Sequence, residues 1–460
     1  MTYQKESFDA LVERMSEYLS QKKYVQARET LVDLEPVDIA FIMESLPEDT
    51  IPVVFRLLPK ELAAEVFVEL DTDSQEKLIK GFSKSELKEV VDELYLDDVV
   101  DIIEEMPANV VKRIIASADA DTRRDINNIL RYPESSTGSI MTTEYIDLKT
   151  NMTVADALKK IRRVGQDMET INVMYVTDPA RHLLGYVTIR DLLLADENDT
   201  MEEIMDDSII SASTMDDQEE TARKFGKYDF LTMPVVDKEN RLVGIVTVDD
   251  ALDVLVEETT EDIERMAAIT PTDDSYLNTG IIDTVKSRIP WLLLLMVSAT
   301  FTGQIISSFE DALAAFTVLT AYIPMLMDTG GNCGSQASVT VIRGISLDEI
   351  KLKDLGAVIW KEIRVAVIIG MILAICNFAK LMLVDKMLFG NPITVTVAAV
   401  ICLTLVFTVF AAKLVGCSLP ILAKALGFDP AVMASPFITT IVDAISLLIY
   451  FQFAKIILHI

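Results

Sequence analysis

The chain has only two histidines and four cysteines in 460 residues. His182 and His459 have no other candidate ligands beside them, and Cys333, Cys376, Cys402 and Cys417 show neither CxxC nor disulfide-framework spacing. This scarcity argues against a site for the softer transition metals, which favour His and Cys. Basic residues are also short, 41 Lys and Arg against 72 Asp and Glu, for a net charge of −31. Nucleic acid is therefore not an expected partner, because phosphate backbones are held by basic surfaces. There is no GxxxxGKS or GxxxxGKT phosphate loop, which argues against an ATP-driven pump. The opening MTYQKESFDALVERM scatters charges and has no continuous apolar core, so no signal peptide is expected.

What is present is divided unevenly. Residues 1–280 hold 61 acidic and 29 basic residues, whereas 281–460 hold 11 and 12. An acidic module thus precedes a neutral, apolar one, and the acidity favours cations as partners. Five apolar segments follow residue 288, at about 289–308, 312–327, 355–384, 393–415 and 434–458. Most reach the ~20 residues a spanning helix needs. The second is short and is expected to continue through the glycine-rich stretch after it. Lys286 and Arg288 precede the first segment, Arg343, Lys351, Lys353, Lys361 and Arg364 lie between the second and third, and Lys413 and Lys424 between the fourth and fifth. By the positive-inside rule the N-terminal module is cytoplasmic, and five spans put the C-terminus outside.

Two repeats organise the acidic part. LPEDTIPVVFRL at Leu46, LPKELAAEVFVEL at Leu58 and MPANVVKRI at Met106 each set a proline and nearby acidic or polar residues at a helix start, so a stack of helical hairpins is expected over residues 1–131. MYVTDPARHLLGYVTIRDL from Met174 aligns without gaps with MPVVDKENRLVGIVTVDDA from Met233, matching Gly185 with Gly244, Thr188 with Thr247 and Asp191 with Asp250. Each copy reads as strand, turn, strand and capped helix. The pattern, over 132–248, resembles tandem cystathionine-β-synthase (CBS) domains, whose cleft often binds adenosine nucleotides. The resemblance implies that Asp191 meets a ribose, Arg190 a phosphate and Phe230 an adenine; the alternative is that Thr188 and Asp191 only cap a helix. Residues 249–279 read as a connecting helix with an apolar stripe at Leu252, Leu255, Val256, Ile263 and Met266.

In the apolar part, 280–460, two features stand out. Asp443 is a single carboxylate in the run ASPFITTIVDAISLLIYFQFA, and an ionisable residue in a membrane span usually faces a partner or a water-filled pathway. DTGGNCGSQ, from Asp328 to Gln336, is polar and glycine-rich at membrane depth, so it must be buried in protein or line water. Its glycines either let helices approach closely or expose carbonyl oxygens to an ion.

YPESSTGSIMT at 132–142, the CBS pair, SRIPWLLL from Ser287, DTGGNCGSQ with IRG at 342–344, and FDPAVMASPFITTIVDA from Phe428 occur in the order found in the MgtE family of magnesium channels, which the whole chain resembles. The resemblance implies a multidomain membrane protein: an α-helical superhelical N-domain, an α/β CBS pair, a connecting (plug) helix and five transmembrane helices. It implies a homodimer in the plasma membrane lipid bilayer, with no enzymatic activity, whose pore is lined by the second and fifth spans. Asp443 would be the selectivity carboxylate, one from each protomer, and Asn332 and Gly331 would belong to a pore-lining glycine-rich turn, with Asp328 just before it. The magnesium that closes the pore would sit among Glu65, Asp97, Glu219, Asp229, Asp250, Asp253, Glu258, Glu261 and Asp262, and ATP would be a further regulatory ligand. Magnesium is a hard ion that keeps its water and suits carboxylates and carbonyls, in agreement with this composition. Two other readings remain open: a less selective carrier of manganese, cobalt or calcium, and a membrane-anchored nucleotide sensor.

Overall fold

The computed structural model describes residues 8–272, 276, 279–433 and 435–459. They form two compact units that divide after Leu255.

The first unit begins with ten short helices between Phe8 and Ile129. Proline and acidic residues set their starts: Pro36 and Pro52 stand in first turns, Pro59 and Pro107 are N-caps, and Asp71, Ser83 and Asp119 accept backbone N–H bonds at theirs. One continuous core runs beneath them, with Phe55, Phe67 and Phe82 in mutual contact at ring distances of 5.3–6.3 Å.

Two three-stranded sheets follow, Asp147–Lys149, Val173–Thr177 and Leu183–Thr188, then Ala212–Ser213, Thr232–Val236 and Leu242–Thr247. In each the first pair is parallel and the second antiparallel. The paired glycines have a physical reason. A Cβ on Gly185 would come within 2.6 Å of the Asp206 carbonyl, and one on Gly244 within 2.8 Å of the Thr142 carbonyl. Each is the point where the Ile-Met segment leading into the other repeat crosses a hairpin, Ile204-Met205 at Gly185 and Ile140-Met141 at Gly244. Thr188 and Thr247 begin helices, and their side chains each donate to the carboxylate three residues on, at 2.5 Å.

The connecting helix spans Val248–Met266 and stops short of the expected residue 279, because Ala267–Ile269 fold back on Ile263, Glu264 and Arg265, with Ala268 left-handed. Residues 273–275, 277 and 278 of that expectation lie outside the described residues. Along its stripe Leu252, Val256 and Ile263 stay exposed, while Ala251 and Val254 are buried.

Among the described residues of the second unit, four helices are long and apolar enough to cross a membrane: Ile281–Ser308, Leu352–Leu388, Val395–Ala425 and Ala431–Leu458. A fifth long helix, Ile323–Ser346, packs against the last two but carries too many polar residues to count with them. Two expectations are corrected here. The apolar segment 312–327 is broken by a 3-10 turn at Thr317–Tyr322, and the glycine-rich stretch, a turn by the family resemblance, is the middle of a helix, so that from Ile323 the segment does continue through it as expected. Glycine disfavours an isolated helix, yet here each Cα–H face lets a neighbouring helix close in: a Cβ on Gly334 would meet Ile438 at 2.7 Å and the Ala412 carbonyl at 3.3 Å.

Lys413, read from sequence as a charge between spans, lies inside Val395–Ala425 and is 5% exposed. Its ammonium stands 3.5 Å from the carboxylate of Glu362, itself 9% exposed, on Leu355–Lys380. Breaking a buried pair by removing one partner costs about 3–5 kcal/mol, whereas removing both is often tolerated. Lys413→Met should therefore lower the melting temperature of the detergent-solubilised protein sharply, and Lys413→Met with Glu362→Gln should recover most of the loss. A double variant as unstable as the sum of the singles would show that the two charges do not act as a pair.

Candidate functional site

Asp443 lies on the helix Ser435–Leu458, and its Oδ1 is buried without a hydrogen-bond partner among the described residues. The backbone of the glycine-rich helix comes up close around it. A Cβ on Gly330 would touch Val442 at 2.9 Å, Ser446 at 3.0 Å and Thr408 at 2.7 Å, and one on Gly331 would touch Thr439 at 2.9 Å. Val442, Thr439 and Ser446 bracket Asp443 on its own helix. The contacts at Gly331 are thus those of close packing, and a larger residue there would press on the Thr439 side chain of the Asp443 helix.

One face of the glycine-rich helix is left open. Pro324, Asp328, Asn332, Gln336 and Thr340, four residues apart along one stripe, are exposed, as is Arg343. Asn332 Nδ2 donates to Asp328 Oδ1 at 3.1 Å, and Asp328 is near enough to act electrostatically on Asp443. A polar stripe on a helix packed among apolar spans is costly in lipid, so it belongs against water or protein. Oxygen donors and no sulfur or imidazole line this face, which suits a hard, hydrated cation.

A second carboxylate group lies in the first unit. Asp97 and Asp98 open the helix Leu96–Glu105, Glu144 and Glu169 come from the first CBS repeat, and Asp249, Asp250 and Asp253 start the connecting helix. Glu144 ties the group together, accepting from the Leu96 backbone N–H at 3.1 Å and from Thr142 Oγ1 at 2.6 Å. Glu169 Oε2 is buried without a hydrogen-bond partner among the described residues, and Asp97 is 5% exposed. Burial, joined by the charge of Asp250, raises Asp97 well above the usual carboxylate range. Burial first, then Asp250 and other carboxylates, pushes Asp98 up to about 7 and Glu169 to about 8. Burial lifts Asp250 to about 6 against its bonds from Thr247. Asp253 and Glu69 are raised by burial and, respectively, by Asp249 and Asp253.

Of the expected regulatory residues, the structure thus gathers Asp97 with Asp250, and it sets Asp253 near Glu69, a residue outside that expectation. It does not gather the rest. Glu65 is an exposed residue of Lys60–Val68, Glu219 is ion-paired with Arg223, and Asp229 is the left-handed C-cap of Gln218–Tyr228. Glu258, Glu261 and Asp262 belong to the second unit, where Glu261 pairs with Arg265 and Asp262 accepts from Ser346 Oγ at 3.3 Å. Among the described residues no three His, Cys, Asp or Glu side chains stand close enough to hold an ion together. Sequence reasoning missed Glu69, Asp98, Glu144, Glu169 and Asp249; only Asp98 and Asp249 had a local signal, as neighbours in the acidic doublets of LDDVV and VDDAL.

In the CBS cleft, Thr188 and Asp191 form a reciprocal cap, with Asp191 Oδ2 accepting from the Thr188 N–H at 3.0 Å. Phe230 stacks on Tyr228 at 5.4 Å, and Arg190 makes no side-chain bond among the described residues.

The raised carboxylates fix a pH dependence. Between the ordinary carboxylate range and about pH 8 the folded protein holds protons that the unfolded chain has released, so stability falls as pH rises through that window. Each such proton is worth about 1.4 kcal/mol per pH unit. The melting temperature in chelator should be higher at pH 5 than at pH 8, and magnesium should flatten that slope. A melting temperature rising with pH in chelator would contradict this arrangement.

Comparison with known proteins agrees with the geometry. The family model described as "Divalent cation transporter" matches residues 323–453, "MgtE intracellular N domain" matches 34–135, and "CBS domain" matches 138–198 and 201–257. The "Magnesium transporter MgtE" of Thermus thermophilus is 37% identical over 437 residues, 94% of this chain and 95% of that protein. That of Bacillus subtilis is 33% identical over 453 residues, 98% of each. The solved "cytosolic domain of the Mg2+ channel MgtE in complex with ATP" covers 53% of this chain and 99% of its own, at 38% identity and TM-score 0.51. The "soluble part of a magnesium transporter" covers 55% and 99%, at 28% identity and the same TM-score. With full-length relatives, a matching cytosolic fold and several helices fit to cross a membrane, the chain is a multi-pass membrane protein and belongs to the MgtE family.

Proposed function

We propose that this chain is a magnesium channel of the plasma membrane, closed by magnesium on its cytosolic side. The observation that carries the reading is the buried, unpartnered Asp443 oxygen beside the open polar stripe of Asp328 and Asn332. Two copies bring their Asp443 helices and glycine-rich helices together around a two-fold axis, so that the stripe faces water and the two carboxylates meet a hydrated ion. The exposed apolar stripe at Leu252, Val256 and Ile263 supports a second copy as its cover. The glycine-rich helix Ile323–Ser346 counts as a span, the second of five in chain order, which leaves the N-terminus cytoplasmic and the C-terminus outside. The helical domain occupies 1–131, the CBS pair 132–248, the connecting segment, whose helix ends at Met266, 249–279, and the membrane domain 280–460.

Closure follows from the acidic group. At ~4 Å and an effective dielectric near 20, one like-charge pair costs about 4 kcal/mol before screening. Magnesium bound at Asp97, Asp250 and Asp253, with Glu65, Glu219, Asp229, Glu258, Glu261 and Asp262 supplying further weak sites, turns that repulsion into attraction. ATP in the CBS cleft, on Arg190, Asp191 and Phe230, is a further regulator, a reading supported by the ATP in the related cytosolic domain.

Replacing Asp443 with Ala should reduce magnesium flux into proteoliposomes to background while the dimer elutes unchanged. Undiminished flux would remove Asp443 from the pathway. In the same assay, manganese, cobalt or calcium carried as readily as magnesium would favour a broader divalent carrier.

A further inference from the structure

A cleft of about 760 Å³ lies where the last helix of the helical domain meets the CBS pair, all within the first unit. Arg124, Ile129, Arg131 and Tyr132 line one side. Tyr145 and Arg181 of the first repeat and Met215 of the second line the other. None of Arg190, Asp191 and Phe230 borders it, nor does any member of the acidic group.

Its charge is unexpected. Residues 1–280 carry twice as many acidic as basic side chains, yet three arginines and one carboxylate, Asp125, face this space. Arg124 is held by Asp121 and Asp125, both at 3.3 Å. Arg131 is exposed and its side chain has no partner among the described residues. Arg181 is fixed in place: its backbone is left-handed, and its Nη2 donates to Tyr145 Oη at 2.6 Å and to the Leu242 carbonyl at 3.0 Å. Both bonds use the same nitrogen, so Nε and Nη1 keep donors for a further acceptor. Tyr132 lies against Gly138, where a Cβ would come within 2.6 Å of its ring, so the ring is seated before any ligand arrives.

We propose that this cleft binds an organic phosphate, with its anionic end on Arg131 and Arg181 and a flat apolar end against Tyr132, Met141 and Met215. The volume is in the range of small-molecule sites, and the lining is more polar than is usual for them, with Ile129, Met141, Met215 and Val243 as its aliphatic and thioether part. Guanidinium pairs bind phosphate with geometry as well as charge. Because the lining comes from the helical domain and both CBS repeats, an occupant braces the three together. It is a second anion site, separate from the CBS cleft.

The test is equilibrium dialysis of AMP against the full-length protein in detergent, with wild type, Asp191→Ala, Arg131→Glu, and Arg131→Glu combined with Arg181→Glu. The site predicts AMP binding that survives Asp191→Ala, weakens about tenfold or more with Arg131→Glu, a change of about 1.4 kcal/mol, and is lost in the double variant. Arg131→Glu touches no internal bond and so reports on the site even if Arg181→Glu disturbs the hairpin. Binding abolished by Asp191→Ala and indifferent to Arg131→Glu would place the only AMP in the CBS cleft and overturn the proposal, as would no binding up to about 10 mM.

Discussion

Carboxylates taken out of water without a cation are the constraint on which the rest depends. A buried charge must be paired, neutralised by a proton or matched by an ion. The molecule uses all three. Glu362 is paired with Lys413. Asp98 and Glu169 hold protons near neutral pH. On the proposed reading Asp443 meets the transported ion. The first of these is structural and permanent; on the same proposed reading the second is released by a divalent cation and the third turns over with every ion that passes.

The energies suit a sensor of its own cargo. Moving a two-state protein from about 1:99 to 99:1 takes roughly 5.5 kcal/mol of differential binding. A site specific for the closed state supplies ~1.4 kcal/mol at about tenfold excess of ligand over its dissociation constant. On the order of four weak sites is enough, and on the proposed reading a dimer with several in each protomer exceeds that. No single tight site is needed, which fits a carboxylate group that is spread over the helical domain, the first CBS repeat and the connecting helix and, among the described residues, is not arranged as a preformed cage.

What could be read from the sequence was whatever has a local signature. The CBS hairpins announce themselves because strand alternation, the turn residues and Gly185 and Gly244 recur at one offset. Asp443 stood out as a lone charge in an apolar run. Lys413 carried the same signal, but it was assigned to a connection because its partner Glu362 is remote in sequence and the helix continues past the apolar segment to Ala425. The second span was expected to run through the glycine-rich stretch, while the family resemblance implied a turn there; the packing of Thr408, Thr439 and Val442 against Gly330 and Gly331 explains why so many glycines stand inside a helix. Glu144 and Glu169 had no local mark at all, since their neighbours Asp98 and Asp250 are assembled by tertiary packing. The arginine cleft was invisible for the same reason, each arginine looking like one more surface charge.

The central claim, that one ion is both cargo and closing signal, is tested most directly by single-channel recording of the reconstituted full-length protein. Magnesium is the only permeant cation, and its concentration on the cytosolic side is raised from micromolar to millimolar. The account predicts discrete currents at the low end whose open probability falls steeply as magnesium rises. Currents whose open probability ignores cytosolic magnesium would contradict it.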